Sequence, residues 1–387
     1  MKSQEGRVRV LQNFRERSKL LRGIENYRVE ILEANPGTFI LPKHCDAEAL
    51  FFVAKGRAAI SLIREGKREA FNLQTGDILR VPAGAPFYMV NKDDHEKLCV
   101  AKLIQPVFTP GHYETFFGPG GEDPESFYNA FSIEILEAAL KTEGDRLKRL
   151  FGQQKQGAIV KASKEQIQSM SHHEEGGSWP FGGESSRGPF NLLKMRPSQS
   201  NEYGRLHEAN CNDYKQLQDL DVAVSFANIT KGSMEAPFFN SKATKISLVI
   251  DGDGYYEMAC PHLSSSQSGE QHYGGGGSEE RQSGPRYQKV SAQLRRGVVF
   301  IVPAGHPVVA VASNNQNLQI VCFEINARGN ERYPLAGKRN VINQFEREAK
   351  ELAFNVPARE VEQVFQNNKQ DFFFPGPRQQ RQGRASA

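Results

Sequence analysis

TGDILRVPAGAPFYMV at residues 75–90 returns as RGVVFIVPAGHPVVAV at residues 296–311. In each copy a short apolar segment ends in Pro-Ala-Gly, where proline fixes φ and glycine permits a tight turn. Both stretches therefore predict a strand, a turn and a second strand. The repeat also pairs residues 31–44 with 225–239, and residues 50–62 with 245–258. Short strands with Gly and Pro turns, without an alternating helix pattern, predict an all-β chain of two antiparallel jelly-roll barrels.

Two polar stretches interrupt the repeat. Residues 172–189 separate the copies and residues 264–286 lie inside the second copy, and both are rich in Gly, Ser and charged residues with almost nothing to bury. Such a composition favours disorder. The predicted order is a barrel with a helical extension at 1–171, a disordered linker at 172–189, a second barrel at 190–370 with the flexible insertion and its own helical extension, and a disordered tail at 371–387.

A helical pattern follows each barrel. Ser132 precedes an apolar stripe that includes Leu136 and Leu140, and Pro357 precedes one that includes Val361 and Val364. Ser and Pro are typical of helix starts. Each stripe is apolar along one side only, so we predict that these short helical modules mediate oligomer contacts. The alternative is that they pack on their own barrel.

Composition limits the classes of function. The 387 residues carry a net charge of +4, spread along the chain rather than gathered in a basic stripe, and the mean hydropathy is −0.56. This pattern argues against a nucleic-acid partner. There is no apolar run of the roughly 18 residues that a membrane span requires, and no signal peptide is visible in this sequence. The expected protein is soluble.

A metal site is suggested in the second copy. Cys260 and His262 are two residues apart on a predicted strand, so their side chains point to the same face, and His306 lies on the PAGHP turn near the barrel mouth. One thiolate with two imidazoles is a donor set that suits copper, with zinc as the alternative. The competing interpretation is a buried thiol at Cys260 with two surface histidines. The common catalytic motifs for nucleophilic serine, phosphate binding and metalloproteases do not occur.

The repeat resembles the two motifs of the cupin superfamily, in which three His and a Glu bind a catalytic metal. In copy one His44 stands at the first position, but Asp46 and Phe87 replace the other two histidines. In copy two all three histidines are replaced, by Phe238, Asn240 and Val308. The loss of these ligands predicts that the chain is not an enzyme, because aromatic and aliphatic side chains offer a metal no lone pair. The remaining alternatives are a metal oxidase related to germins and a cupin that binds a small hydrophobic or anionic ligand in a barrel cavity.

Longer phrases resemble one branch of that superfamily, the vicilins or 7S storage globulins of seeds. They are EGRVRVLQNFRERSKLLRGIENYRVEILEANPGTFILPKH (residues 5–44), FNLQTGDILRVPAGAPFYMVNKDD (71–94), PGHYETFFG (110–118) and ANITKGSMEAPFFNSKATKISLVIDGDGYYEMACPH (227–262). The resemblance implies a non-catalytic nutrient reservoir, a homotrimer assembled through the helical extensions, and delivery by the secretory pathway to protein storage vacuoles. Many vicilins are also food allergens.

The same resemblance bears on the metal and on glycosylation. Some vicilins bind copper through a Cys-x-His pair and a further His, and Cys260, His262 and His306 match that set. Tyr27 is a further candidate ligand, for which aromatic core packing is the alternative. Asn228 begins the triplet Asn-Ile-Thr, an N-glycosylation sequon that the secretory route would make usable.

Overall fold

A computed structural model describes residues 2–171, 187–261 and 287–377. The chain divides into two compact units, Met1–Lys194 and Met195–Ala387, which are described separately below. The predicted linker lies largely outside the described residues, and so does the predicted insertion at 264–286.

The N-terminal unit is built of antiparallel strands. They are β1 (Lys2–Ser3), β2 (Gly6–Val10), β3 (Arg28–Ala34), β4 (Thr38–Cys45), β5 (Ala47–Lys55), β6 (Arg57–Arg64), β7 (Lys67–Gln74), β8 (Asp77–Val81), β9 (Phe87–Asn91), β10 (Leu98–Pro106), β11 (Thr115–Phe116), β12 (Ile159–Lys161) and β13 (Phe190–Asn191). One sheet has the order β1-β2-β3-β10-β5-β8-β13, and the other has the order β11-β4-β9-β6-β7 with β12 added beside β4.

The two sheets of this unit share one core. Phe51 of β5 and Leu79 of β8 come from the first sheet, and Ile60 of β6 and Met89 of β9 come from the second. These side chains are at most 1% exposed. Sequential hairpins that cross between two facing sheets around a shared apolar core form a jelly roll, which confirms the predicted barrel.

The C-terminal unit repeats this plan. Its strands are β14 (Gln199–Asn201), β15 (Gly204–Ala209), β16 (Val222–Ile229), β17 (Ser233–Glu235), β18 (Phe238–Asn240), β19 (Thr244–Asp251), β20 (Asp253–Cys260), β21 (Gln288–Arg295), β22 (Val299–Val302), β23 (Val308–Ala312), β24 (Leu318–Ile325), β25 (Arg332–Pro334) and β26 (Phe373–Pro375). The sheet orders are β14-β15-β16-β24-β19-β22 and β21-β20-β23-β17-β26, with β18 beside β23 and β25.

Corresponding turns confirm the duplication. Gly84 and Gly305, the glycines of the two Pro-Ala-Gly turns, have φ of 73° and 75°. Such positive φ angles favour glycine, because a Cβ atom would crowd the backbone. The amide of each glycine donates a hydrogen bond of 2.8 Å across the barrel mouth, to the carbonyl oxygen of Cys45 in the first copy and of Asn240 in the second.

Short helices extend each barrel. They are α1 (Phe14–Arg17), α2 (Ile133–Leu140), α3 (Gly144–Gly152) and α4 (Lys164–Ser171) in the N-terminal unit, and α5 (Arg347–Phe354) and α6 (Ala358–Phe365) in the C-terminal unit. Ser132 and Pro357 occupy the N-caps of α2 and α6, as the sequence predicts. Among the described residues, the helices are too short or too polar to cross a membrane.

The strand β13 at residues 190–191 pairs with β8 of the first barrel, and the compact second unit begins at Met195. One predicted boundary is wrong. The predicted disordered tail begins too early, because β26 pairs with β17 and the Phe373 side chain is fully buried. Residues 371–377 therefore complete the second barrel, and the predicted disorder of residues 378–387 falls outside the described residues.

Candidate functional site

A group of three buried charged side chains lines one cavity of the N-terminal barrel, Glu30 of β3, Lys43 of β4 and Lys102 of β10. The Lys102 ammonium donates a hydrogen bond to the Glu30 carboxylate, and the Tyr113 hydroxyl donates one of 2.7 Å to the second Glu30 oxygen. Burial raises the pKa of Glu30, but the two lysine charges and these hydrogen bonds outweigh burial and bring the pKa to about 2. Glu30 and Lys102 therefore form a buried ion pair.

Lys43 has a different environment. Its ammonium nitrogen lies 5.8 Å from the ring centre of Phe87 and 6.0 Å from that of Phe117. Burial and then the charge of Lys102 lower the pKa of Lys43, and Glu30 only partly opposes them. Lys43, Lys102, Glu30 and Cys45 line a cavity of about 20 Å³ at the barrel mouth, which is room for about one water molecule.

The C-terminal barrel holds a larger charged cluster. Arg332 of β25 lies 2.7 Å from a Glu208 oxygen and 3.4 Å from a Glu324 oxygen, and Lys245 of β19 lies 3.6 Å from the same Glu324 oxygen. Ser225 donates a further hydrogen bond of 3.1 Å to Glu324. Each of the two cations of this cluster therefore has at least one carboxylate partner.

Glu235 is the remaining acid of this cluster. Burial raises its pKa above the ordinary value of 4.5, although the charges of Lys245 and Arg332 act against burial. The two cations lie over the Phe238 ring, at 5.1 Å for the Lys245 nitrogen and 5.2 Å for the guanidinium carbon of Arg332. The interior of this barrel therefore contains both charged and aromatic side chains.

In the first copy, two of the cupin ligand positions lie one residue earlier in the structure than the sequence motif predicts. Lys43 pairs with Phe87, and Phe238 pairs with Val308, so Lys43 and Phe238 are equivalent. The sequence motif predicts His44 at the first ligand position. In the structure the His44 ring stacks on Phe116, with 5.1 Å between ring centres. A bulge between Ile40 and Lys43 changes the strand register, and the glycine and proline landmarks do not reveal it.

Asp46, the other aligned position, is also not an inward ligand, because its carboxylate accepts a hydrogen bond of 2.7 Å from the Glu114 amide. The inward positions of the first copy are instead Lys43 and Cys45, which line the cavity. Cys45 corresponds to Asn240, since both carbonyl oxygens accept the matching turn amide.

The predicted metal centre lies at the mouth of the C-terminal barrel. In the antiparallel pairing of β20 with β23, Met258 is opposite Val308, and continuing that register places Cys260 opposite His306. A hydrogen bond of 2.9 Å from the Ala259 amide to the Pro307 carbonyl oxygen confirms that the strands remain together there. Cys260 and His306 are 3% and 5% exposed.

The orientation of His306 suits a ligand. Its Nδ1 lies 3.0 Å from the Ala304 carbonyl oxygen, which can only accept, so Nδ1 carries the proton and Nε2 the lone pair of the neutral ring. A backbone carbonyl at one ring nitrogen is the usual support of a metal-binding histidine. Thiolate and imidazole donors at this position fit a soft metal such as copper.

The structure does not test the other two predicted ligands, His262 and Tyr27. His262 lies outside the described residues, and within the described ranges no three His, Cys, Asp or Glu side chains form a metal-binding group. Tyr27 belongs to the N-terminal unit, where its amide donates a hydrogen bond of 3.0 Å to the Ile24 carbonyl oxygen. The complete ligand set therefore stays a prediction.

Asn228, the predicted glycosylation residue, lies in β16 between two paired strands. It is opposite Arg205 of β15 and Gln319 of β24, and it is half-buried. The sequon thus falls within a sheet rather than in an open loop, and its use stays a prediction.

Comparison with known proteins agrees with this architecture. The cupin family profile, described as "Cupin", matches residues 2–106 and 190–362. Vicilin Jug r 6.0101 of Juglans regia is 63% identical over 383 residues, which cover 98% of this chain and 76% of that protein.

Solved structures give the same result. The crystal structure of a vicilin from Corylus avellana aligns with a TM-score of 0.87 and 58% identity, covering 97% of this chain and 96% of that one. A vicilin of Solanum melongena, whose structure "revealed existence of different anionic ligands in structurally similar pockets", aligns with a TM-score of 0.89 and 40% identity, covering 97% and 95%.

Two cupin barrels in one chain define a bicupin protein. Within that class the chain belongs to the vicilins, the 7S globulins that seeds store. Family membership confirms two sequence predictions, the storage role and the classification of the chain as a protein that is not an enzyme.

Proposed function

We propose that this seed globulin is a homotrimer that carries one copper ion in its C-terminal barrel, bound by Cys260, His262 and His306. The observation that supports the site most directly is the position of Cys260 opposite His306, with the His306 Nδ1 bonded to a backbone carbonyl. Copper bound there would form bonds with sulfur and imidazole nitrogen, and zinc is the alternative metal for the same donors.

The first barrel supplies an internal control for this site. By the pairing of β6 with β9, the positions that match Cys260 and His306 are Arg64 and Ala85. The same backbone contact recurs, since the Ile63 amide donates 2.9 Å to the Pro86 carbonyl oxygen. Neither a guanidinium nor a methyl group is a metal ligand, so one ion per chain is expected.

Elemental analysis of protein purified without chelators tests the site. We expect close to one copper per chain in the natural protein and almost none in Cys260→Ala, His306→Ala. Cys322→Ala is the matched control, because Cys322 is also a buried thiol of the same barrel, hydrogen-bonded to Ser247 at 3.3 Å. Copper retained by the double variant, or protein that contains neither copper nor zinc, would disprove the assignment.

The helical modules support the trimer. Ile135 and Leu150 are 58% and 60% exposed on α2 and α3, and Leu352 and Val364 are 85% and 67% exposed on α5 and α6. Apolar side chains this exposed on several helices are typical of surfaces that a partner covers. Light scattering should give three times the chain mass of 43.3 kDa, and Leu352→Glu, Val364→Glu should give a smaller species. A natural protein that runs as a monomer would contradict the proposal.

Delivery to storage vacuoles through the secretory pathway follows from the seed storage role. Immunogold microscopy of maturing seeds with an antibody to this chain should mark protein bodies. Label confined to the cytosol would contradict this location and would also exclude glycosylation at Asn228.

A second candidate function is the binding of a small anion in the N-terminal barrel. Two buried lysines face one buried glutamate there, beside a cavity. An uncompensated buried positive charge favours an anion. Titration with chloride, an anion small enough for this cavity, should raise the thermal midpoint of the natural protein but not of Lys43→Met, and an equal response of both would disprove this binding.

A further inference from the structure

The described residues contain four buried lysines, and they differ in their partners. Lys102 bonds to Glu30, Lys245 lies 3.6 Å from Glu324, and Lys350 lies 3.2 Å from Glu362. Lys43 is the fourth, and within the described part of the chain its amine has no carboxylate within 4.0 Å and no hydrogen-bond acceptor. Its neighbours are instead the rings of Phe87 and Phe117.

The second feature of Lys43 is the cavity beside its amine. The amine lines the small cavity at the barrel mouth together with the apolar side chains of Ala47, Val81 and Ile104. The titratable groups that face it are Lys102 and Glu30 on the other sheet of the barrel and Cys45 on its own strand. Since Glu30 is already bonded to Lys102 and Tyr113, it compensates Lys43 only weakly.

These surroundings favour a neutral amine. Burial lowers the pKa of Lys43, and the Lys102 charge lowers it further, whereas the pKa of Lys245 in the second barrel is raised by its acidic neighbours despite burial. A neutral lysine amine in an apolar pocket is a nucleophile, and enzymes that form imines activate lysine in the same way.

We propose that Lys43 is a covalent capture site for formaldehyde, the one-carbon aldehyde. The amine nitrogen bonds to the aldehyde carbon, and the aldehyde oxygen leaves as water with the two amine protons, so that an imine forms and no oxidant is required. The cavity of about 20 Å³ excludes larger carbonyl compounds. The inference is independent of copper. It competes with anion binding, because a bound anion favours the charged amine and imine formation requires the neutral one.

Reductive labelling of the folded natural protein tests the inference. Formaldehyde with sodium cyanoborohydride at pH 7, in a buffer without carboxylates or chloride, would form the imine and reduce it to a methylamine that peptide mass spectrometry locates. At low total labelling we expect Lys43 to react about fivefold faster than the exposed Lys55, because more of its amine is neutral.

Two further measurements test whether the neighbouring charges and the cavity determine the reactivity of Lys43. Glu30→Gln, Lys102→Met removes the neighbouring pair and its positive charge from beside Lys43, so labelling of Lys43 at pH 7 should slow while that of Lys55 stays the same. Hexanal should label Lys55 but not Lys43, because it is too long for the cavity. Lys43 that reacts no faster than Lys55 in the folded protein would overturn the proposal, as would Lys43 that reacts only after unfolding.

Discussion

The two barrels share a topology and differ in how their buried charges are balanced. In the N-terminal barrel Glu30 pairs with Lys102, and Lys43 has only aromatic rings beside its amine. In the C-terminal barrel Arg332 and Lys245 both reach Glu324. A duplicated fold is maintained by the apolar strand faces, so the polar side chains inside each copy can diverge without loss of the barrel.

The barrel mouths differ in the same way. The turn PAGAP of the first copy has Ala85 where PAGHP of the second has His306, and Arg64 stands where the second copy has Cys260. The backbone contacts are the same in both copies. A few side chains on an unchanged frame therefore determine which barrel can bind a metal.

Breaking the charge balance of the C-terminal barrel should have the largest effect. Arg332→Met leaves Glu208 with no cation at contact distance and Glu324 with Lys245 alone. Loss of one partner from a buried pair costs about 3–5 kcal/mol, because a desolvated charge remains. Urea unfolding should show this loss for the variant, and a loss below about 1 kcal/mol would mean that water reaches the cluster.

Substitution of Lys43 in the first barrel should change the free energy of unfolding much less. Lys43→Met removes a buried amine that has no carboxylate partner among the described residues, and it substitutes a side chain of similar length. We expect the free energy of unfolding to change by less than about 1 kcal/mol, with stabilisation as the favoured sign. The same urea experiment measures it, and a loss as large as that of Arg332→Met would show that Lys43 has a partner.

The two barrels should also respond oppositely to pH. Glu30 has a folded pKa of about 2, below its ordinary value of 4.5, so its contribution is complete above pH 4.5 and is lost as the pH falls towards 2. Glu235 has a raised pKa, so its folded form keeps a proton that the unfolded chain releases, and stability falls as the pH rises above 4.5.

Replacing each of these two glutamates in turn by glutamine separates their contributions to stability. Glu235→Gln should flatten the decline in stability above pH 4.5 and raise stability at pH 7 by about 1 kcal/mol, because a neutral amide avoids the cost of ionisation. Glu30→Gln should instead lower stability at pH 7 and remove the decline below pH 4.5. Identical pH profiles for the two variants would contradict the assigned difference between the barrels.

The duplication was predictable because turns leave a strong sequence signal. Glycine at positive φ and proline at strand ends are needed wherever the hairpins reverse, so both Pro-Ala-Gly turns could be found from the sequence. The register around Lys43 could not, because the bulge after Ile40 has no characteristic residue. Residues 371–377 were misassigned because a polar tail follows them directly, although three consecutive phenylalanines indicate a core strand.

The buried charges were also missed. Lys102 and Lys245 lie in strands that are mainly apolar, where a lone lysine is usually assigned to the solvent face. Their partners Glu30 and Glu324 are far away in sequence, and only the barrel brings each pair together. The Cys260 and His306 pair was predictable in type, since strand spacing and donor chemistry both indicated it.

Anomalous scattering from crystals at the copper absorption edge tests the central difference between the barrels most directly. We expect one copper peak per chain, between Cys260 and His306, and none beside Arg64 and Ala85 in the first barrel. Absence of a peak in the second barrel, or peaks of equal height in both, would contradict it.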